Sequence, residues 1–215
     1  RLQLALTLAR REDGGTELPL ARIEREGAEL EQLIARVLKL VRLERPGSAL
    51  QGVPVDVGRL LETIAQDVAI EAEARNCTIS VHAEAGLEVG GDPELLRSAF
   101  ENVIRNAVRY GPSGSAVVVK AERRDRVEVT VRDHGPGVPE KDLELIFEPF
   151  YRVDAARDRS VGGEGLGLAI AARAIAVHGG SIEAHNAPDG GLEVAMRLPA
   201  LRREGKEARP AAEAA

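Results

Sequence analysis

Two asparagines and a tyrosine recur at helical spacing in one segment of the chain. Asn102, Asn106 and Tyr110 stand at positions i, i+4 and i+8, and Arg109 adjoins them. Residues at this spacing share one face of a helix. An amide oxygen is a neutral ligand that suits Mg²⁺, and a guanidinium suits phosphate. The stripe is a candidate magnesium and phosphate site, while a solvated helix face explains this helix alone equally well.

An acidic residue follows a strand-like run of valines. Val127, Val129 and Val131 alternate with polar residues, and period two places Asp133 on the valine side, towards the interior. A buried carboxylate needs a hydrogen-bonding partner, and the following Gly135-Pro-Gly137 would let a ligand approach closely. Asp133 could therefore accept the exocyclic amine of a purine. The alternative is an ordinary turn closed by an aspartate.

A glycine-rich segment, Gly162–Gly167, leads directly into an apolar helical run. Backbone amides at a helix N-terminus form a cradle for anions, aided by the helix dipole. A dinucleotide fingerprint would need a strand immediately before it, whereas residues 152–160 are a charged loop. A P-loop is excluded because the chain has no Gly-Lys-Ser/Thr.

An α+β fold must position these segments. Apolar periodicity, capping residues and turn residues predict three long helices, one short helix and five strands. The helices are predicted over Asp56–Ala74, Asp92–Tyr110, Lys141–Ile146 and Gly165–Val177, and the strands over Cys77–His82, Ala116–Ala121, Arg126–Arg132, Ser181–His185 and Leu192–Leu198.

A different pattern precedes this unit. Residues 20–45 carry apolar residues at alternating steps of three and four, which predicts a helical hairpin that dimerises into a helix bundle. Gly52-Val-Pro54 is expected to belong to the linker that follows. The predicted domains are a hairpin over 1–48, an α+β domain over 49–200 and a flexible tail over 201–215.

The composition excludes several classes of protein. The 215 residues are 44% hydrophobic, enough for a core, and no apolar run approaches the ~20 residues that span a bilayer. The net charge of −6 has the wrong sign for a nucleic-acid binder. The single cysteine, Cys77, excludes an internal disulfide and is expected to be a packed hydrophobe.

Four segments in this order resemble the ATP-binding domain of sensor histidine kinases, within the superfamily that also holds the Hsp90, gyrase and MutL ATPases. They are Glu101–Tyr110 (asparagine box), Asp133–Gly137 (first glycine box), Phe147–Arg152 (phenylalanine box) and Gly163–Leu168 (second glycine box). The resemblance covers about residues 53–200 and implies a two-layer α/β sandwich. The hairpin resembles the family's dimerisation and histidine-bearing domain.

The resemblance also implies roles for the residues of the boxes. Glu101 would be catalytic, helping to orient the reaction, and Asn106 and Asn102 would serve Mg²⁺. Residues 152–163 would be a mobile lid over the triphosphate, and Phe147 and Phe150 would anchor its base or pack in the core. The residues expected to bind the ATP cofactor are Asn102, Asn106, Arg109, Tyr110, Asp133, Gly135, Gly137, Gly163, Gly165, Leu166, Gly167 and Leu168.

The implied reaction moves the γ-phosphoryl group of ATP to a histidine and then to an aspartate of a response-regulator receiver domain. The implied setting is a homodimer in the cytoplasmic part of an inner-membrane-anchored bacterial sensor, whose upstream segments would reach the membrane. None of the four histidines lies in the hairpin: they are His82, His134, His178 and His185. The chain is therefore expected to bind Mg-ATP without phosphorylating itself.

One residue departs from the family pattern. Glu164 stands where many relatives have a small or hydroxyl residue, and a carboxylate there would repel a triphosphate unless it points outward or pairs with Arg157 or Arg159. Two alternative functions remain. One is an ATP hydrolase of the same superfamily, and the other is a nucleotide-binding or scaffold module without kinase activity.

Overall fold

The computed structural model describes residues 27, 34–35, 37–38, 52–153 and 164–201. The helices are α1 (Val57–Ala74), α2 (Pro93–Tyr110) and α3 (Gly167–Val177), with two 3₁₀ turns over Glu140–Asp142 and Leu145–Phe147. The strands are β1 (Val53–Asp56), β2 (Thr78–Ala83), β3 (Glu88–Gly91), β4 (Ala116–Arg123), β5 (Val127–Arg132), β6 (Ser181–Asn186) and β7 (Leu192–Leu198).

Five strands form one mixed sheet in the order β2-β4-β5-β7-β6. The β2–β4 pair is parallel and the other neighbours are antiparallel, while β1 and β3 form a separate antiparallel pair. The three helices pack on one face of the five-stranded sheet. The predicted two-layer α/β sandwich is confirmed.

The core lies between this sheet face and the helices. On β5 every second residue, from Val127 to Val131, is at most 1% exposed, so the period-two prediction is correct. The helices add apolar residues at helical spacing, as in Leu61, Ile64 and Val68 of α1. Phe100 of α2 is among the largest fully buried side chains.

The start of α2 follows from its capping residues. The Asp92 carboxylate accepts hydrogen bonds from the backbone N–H groups of Glu94 and Leu95 at 2.8 and 3.1 Å, and Pro93 opens the helix. Pro fits there because the first helical N–H groups have no partner within the helix. The predicted bounds of this helix, which carries the asparagine stripe, are therefore nearly those observed.

Three local predictions differ from the structure. Val53 and Pro54 are not linker but belong to strand β1, paired with β3, and neither strand shows the longer alternation that would reveal it. The predicted short helix over Lys141–Ile146 is two 3₁₀ turns. The α3 helix starts at Gly167 rather than Gly165, because Gly165 has a left-handed φ of +74°.

Most of the predicted hairpin and the tail beyond residue 201 lie outside the described residues. Val37, one of the described residues of the hairpin, packs against Leu166 and Ile170 of the α3 region. Dimerisation through the hairpin and the division of the chain into three domains therefore stay predictions.

Candidate nucleotide-binding site

A cavity of about 330 Å³ opens between α2, the loop after β5, residues 151–153 and the start of α3. This volume lies within the range of small-ligand pockets. Of the residues that the sequence predicts to bind ATP, eight line the cavity: Asn106, Arg109, Tyr110, Asp133, Gly137, Gly165, Gly167 and Leu168. Seven further residues complete the lining: Pro136, Val138, Ile146, Tyr151, Arg152, Val153 and Leu192.

Asp133 is the buried acid of this cavity. It is 3% exposed, and its Oδ1 atom accepts hydrogen bonds from the backbone N–H groups of Gly135 at 2.8 Å and Leu192 at 3.1 Å. Within the described residues no hydrogen bond ends on Oδ2, so this oxygen remains for a ligand. Burial raises the pKa of Asp133, and the two backbone N–H groups oppose that rise only in part. The inward orientation expected from the sequence is confirmed.

Asn106 and Arg109 present their polar groups to the cavity from one side of α2. Both side chains are half-buried. Among the described residues, neither the Asn106 amide nor the Arg109 guanidinium has a hydrogen-bond or ion-pair partner. A neutral oxygen donor and a cation one turn of helix apart are therefore available to a ligand that carries phosphate or a hard metal ion.

Asn102 lies one turn earlier on α2 and does not line the cavity. Its Nδ2 donates to the backbone oxygen of Ser98 at 2.8 Å. Its Oδ1 faces Gly167, where an added Cβ would stand only 3.1 Å away. Asn102 thus lies beside the start of α3, while its hydrogen bonds stay within α2.

Glu101 faces away from the cavity, towards α1. Its carboxylate accepts from Nε of Arg105 at 2.9 Å and lies 3.8 Å from Nε of Arg97. These two arginines also pair with Glu71 and Asp67 of α1. Glu101 is thus the centre of a row of alternating charges that ties α2 to α1.

The glycine boxes allow backbone segments to approach closely. Gly137 has a φ of +71°, and a Cβ there would stand 2.6 Å from Oδ1 of Asn186. Gly165 also has a left-handed φ, and a Cβ there would stand 2.7 Å from the carbonyl oxygen of Tyr151. These contacts, more than flexibility, explain why glycine is needed at both positions.

The remaining predicted residues are divided between three places. Gly135 supports Asp133 through its N–H but does not line the cavity. Leu166 is 1% exposed and packs with Ile170 in a separate apolar cluster. Gly163 and nearly all of the predicted lid lie outside the described residues, so their roles stay predictions.

The phenylalanine box is split between surface and cavity. Phe150 is 60% exposed with a φ of +65°, which is contrary to core packing, whereas Phe147 packs against the core. Tyr151 lines the cavity, and its hydroxyl donates to the buried Asp142 carboxylate at 2.8 Å. Tyr151 was missed because the hydroxyl contact depends on a turn that the sequence does not reveal.

Comparison with known proteins shows which family the chain belongs to. Residues 91–202, just over half of the chain, match the family described as histidine kinase-, DNA gyrase B-, and HSP90-like ATPase. The chain belongs to this family. The matched segment of the chain contains the cavity, both glycine boxes and the asparagine stripe.

Sensor kinases are among the proteins that this chain is similar to. The chain is 39% identical over 204 residues to the sensor histidine kinase CpxA of Escherichia coli K12, which covers 94% of the chain and 44% of CpxA. It is 34% identical over 177 residues to the sensor-like histidine kinase SenX3 of Mycobacterium tuberculosis H37Rv, covering 82% of the chain and 43% of SenX3. The family member therefore spans less than half of these relatives and contains the ATP-binding catalytic domain of sensor histidine kinases.

A solved structure agrees in fold over nearly the whole chain. Full-length ShkA in complex with AMPPNP superposes with a TM-score of 0.76 at 28% identity, covering 93% of this chain and 42% of ShkA.

Among the described residues, no helix is long and apolar enough to cross a membrane.

Proposed function

We propose that this chain is the kinase core of a sensor histidine kinase, which takes ATP as phosphoryl donor, a histidine as first acceptor and a response-regulator aspartate as second. One observation carries the proposal. A desolvated acid, Asp133, shares a single cavity with the Arg109 guanidinium and the Asn106 amide, neither of which has a partner among the described residues. The adenine base needs an acceptor such as the Asp133 carboxylate, and the magnesium-bound phosphates need groups such as the Asn106 amide and the Arg109 guanidinium.

Recognition of the base would depend on Asp133. Its Oδ2 would accept a hydrogen bond from the exocyclic amine of adenine, and the apolar side chains of Val138, Ile146 and Leu168 would cover the ring. Guanine carries a carbonyl where adenine carries the amine, so the carboxylate would repel it. The site is therefore expected to prefer adenine over guanine nucleotides.

The donor set also fits Mg²⁺ that arrives with the triphosphate. Within the described residues no group of three or more His, Cys, Asp or Glu side chains could hold a metal ion alone. Mg²⁺ usually keeps several waters and phosphate oxygens, so it needs few protein ligands. Asn106 would hold the ion, Arg109 would meet a phosphate, and Mg²⁺ would neutralise charge that develops on the phosphates.

We assign supporting roles to the two predicted residues that lie off the cavity. Asn102 would keep the start of α3 against α2 through its contacts with Ser98 and Gly167. Glu101 would hold α2 in place through Arg97 and Arg105. The chain's own residues would thus act chiefly by positioning, which supplies most of the rate in phosphoryl transfer.

The relatives support proposals about the partners. We propose homodimerisation through residues 1–48, a receiver domain as the second acceptor, and a membrane tether in the longer protein. The relatives are sensor histidine kinases, and the chain covers less than half of each.

Calorimetric titration tests nucleotide binding. We expect one Mg-ADP per chain and much weaker binding of Mg-GDP. Absence of heat with Mg-ADP would contradict the proposal and favour a scaffold module.

A phosphoryl-transfer assay tests the reaction. The chain is incubated with γ-labelled ATP, with and without a separately purified histidine-bearing hairpin domain of a sensor histidine kinase. We expect acid-labile label on the added domain and none on this chain. Sustained release of inorganic phosphate without any acceptor would instead favour a hydrolase.

A further inference from the structure

The loop after β5 is fastened to the neighbouring strands at both of its ends. At one end the Asp133 backbone N–H donates to the Leu192 carbonyl at 3.0 Å, and Oδ1 of Asp133 accepts from the Leu192 N–H. At the other end the side chain of Asn186, the last residue of β6, contacts the backbone of Val138. Between these two attachments lie Pro136 and Gly137, which line the cavity together with Val138.

The contact at Asn186 uses both halves of its amide. Oδ1 accepts from the N–H of Val138 at 2.8 Å, and Nδ2 donates to the carbonyl of Val138 at 2.6 Å. Nδ2 also donates to Oε1 of Glu140 at 3.1 Å. A single side chain thereby satisfies a backbone donor and a backbone acceptor that have no strand partner, as a neighbouring strand would.

The fit at this point is close. Gly137 has a left-handed φ of +71°, and an added Cβ would meet Oδ1 of Asn186 at 2.6 Å. Asn186 itself pairs with Leu192 across the β6–β7 hairpin, so its position is set by the sheet. The sheet therefore determines, through one amide group, where the wall formed by Pro136, Gly137 and Val138 stands relative to Asp133.

We infer that Asn186 is a positioning residue for the nucleotide, holding the cavity wall at the distance from Asp133 that the base requires. It does not line the cavity, so it acts indirectly, through its contacts with Val138 and Glu140. This inference rests on the proposed function, because the wall has this task only if the cavity takes a nucleotide. The expected consequence is that Asn186 affects the binding of ADP and ATP by the same factor, since the wall contacts the base and not the phosphates.

The substitution Asn186→Asp tests the inference with almost no change of shape. It replaces the donor that faces the Val138 carbonyl and the Glu140 carboxylate by a negatively charged oxygen. We expect about tenfold weaker binding of both Mg-ADP and Mg-ATP at pH 7.5, about the loss of one good hydrogen bond. Asn76→Asp, an equal change of charge at an exposed turn residue that does not line the cavity, should bind as the unmodified chain does.

The pH dependence separates positioning from general damage. A protonated aspartic acid can again donate to the Val138 carbonyl, so the affinity ratio between Asn186→Asp and the unmodified chain should approach one as the pH is lowered. A ratio that is independent of pH, or different for ADP and ATP, would overturn the inference.

A second measurement needs no nucleotide. In Asn186→Ala the backbone N–H of Val138 loses its acceptor, so amide hydrogen exchange at Gly137 and Val138 should become at least tenfold faster while exchange in β5 and β7 stays unchanged. Unchanged exchange at Val138 would overturn the inference. If the unmodified chain failed to bind Mg-ADP, the proposed function would fail, and this exchange measurement would still decide whether Asn186 holds the loop.

Discussion

Replacement of Asp133 by asparagine should weaken nucleotide binding and stabilise the empty protein. In Asp133→Asn the side-chain oxygen can still accept from the N–H groups of Gly135 and Leu192, so the loop keeps its anchors. The other oxygen becomes an NH₂ group, which cannot accept from the adenine amine. Hydrogen bonds to charged groups contribute about 1.5–3 kcal/mol, so Mg-ADP should bind roughly 10- to 150-fold more weakly.

The stability change has the opposite sign. Burial raises the pKa of Asp133 above the ordinary aspartate value, so the fold favours the protonated acid. The stability from this preference is present below the ordinary pKa and is lost as the pH rises through the raised pKa. At neutral pH the buried carboxylate therefore destabilises the empty protein, and asparagine removes that cost.

Calorimetry and thermal unfolding measure the two effects together. We expect Asp133→Asn to melt at a higher temperature than the unmodified chain at pH 7.5, with the difference vanishing below the usual pKa of aspartic acid, about 3.9. The matched control is Asp189→Asn, which removes an exposed carboxylate on a nearby turn. Mg-ADP affinity within twofold of the unmodified chain would refute the role of Asp133.

Three further predictions concern the loop glycine Gly137, the buried His178 and the candidate metal ligand Asn106. In urea denaturation, Gly137→Ala should lower the free energy of unfolding by clearly more than the ~1–2 kcal/mol that a left-handed alanine costs, because the new Cβ overlaps a side chain. Gly190→Ala, which also has a left-handed φ but open space around it, should cost only that ~1–2 kcal/mol. His178→Ala should lower the free energy of unfolding by about 2–4 kcal/mol in the same assay, because the buried ring accepts from the N–H of Asp92 at 3.0 Å and contacts the carbonyl of Ala174 at 2.7 Å. Replacement of the exposed His185 by alanine should change it by no more than about 0.5 kcal/mol. Asn106→Ala should bind Mg-ADP no better than metal-free ADP, as titrations with and without EDTA would reveal, and a retained Mg²⁺ dependence would assign the metal to another residue.

The sequence predicts the framework well because local signals there agree with the fold. The bounds of α2 follow from Asp92 and Pro93, whose capping roles need only neighbouring residues. The burial of Asp133 follows from the strict alternation of valines and polar residues in the sequence of β5. The α2 helix carries residues of the candidate site and β5 leads directly into Asp133, so much of the cavity lining could be predicted.

The unpredicted features depend on distant contacts. The β1 and β3 strands are each four residues long and are recognised only by their pairing with one another. Asn186 contacts Val138 across 48 positions of sequence, and nothing in its own neighbourhood indicates that partner. Glu101 and Asn102 share the asparagine box with Asn106, yet neither lines the cavity. Glu101 pairs with arginines that reach α1, and Asn102 lies beside Gly167 at the start of α3.

A crystal structure of the chain with Mg²⁺ and a non-hydrolysable ATP analogue tests the central claim most directly. The account predicts the adenine amine about 3 Å from Oδ2 of Asp133, the ring against Val138 and Leu168, and the metal next to Asn106. A nucleotide bound outside this cavity, or one whose base points away from Asp133, would contradict it.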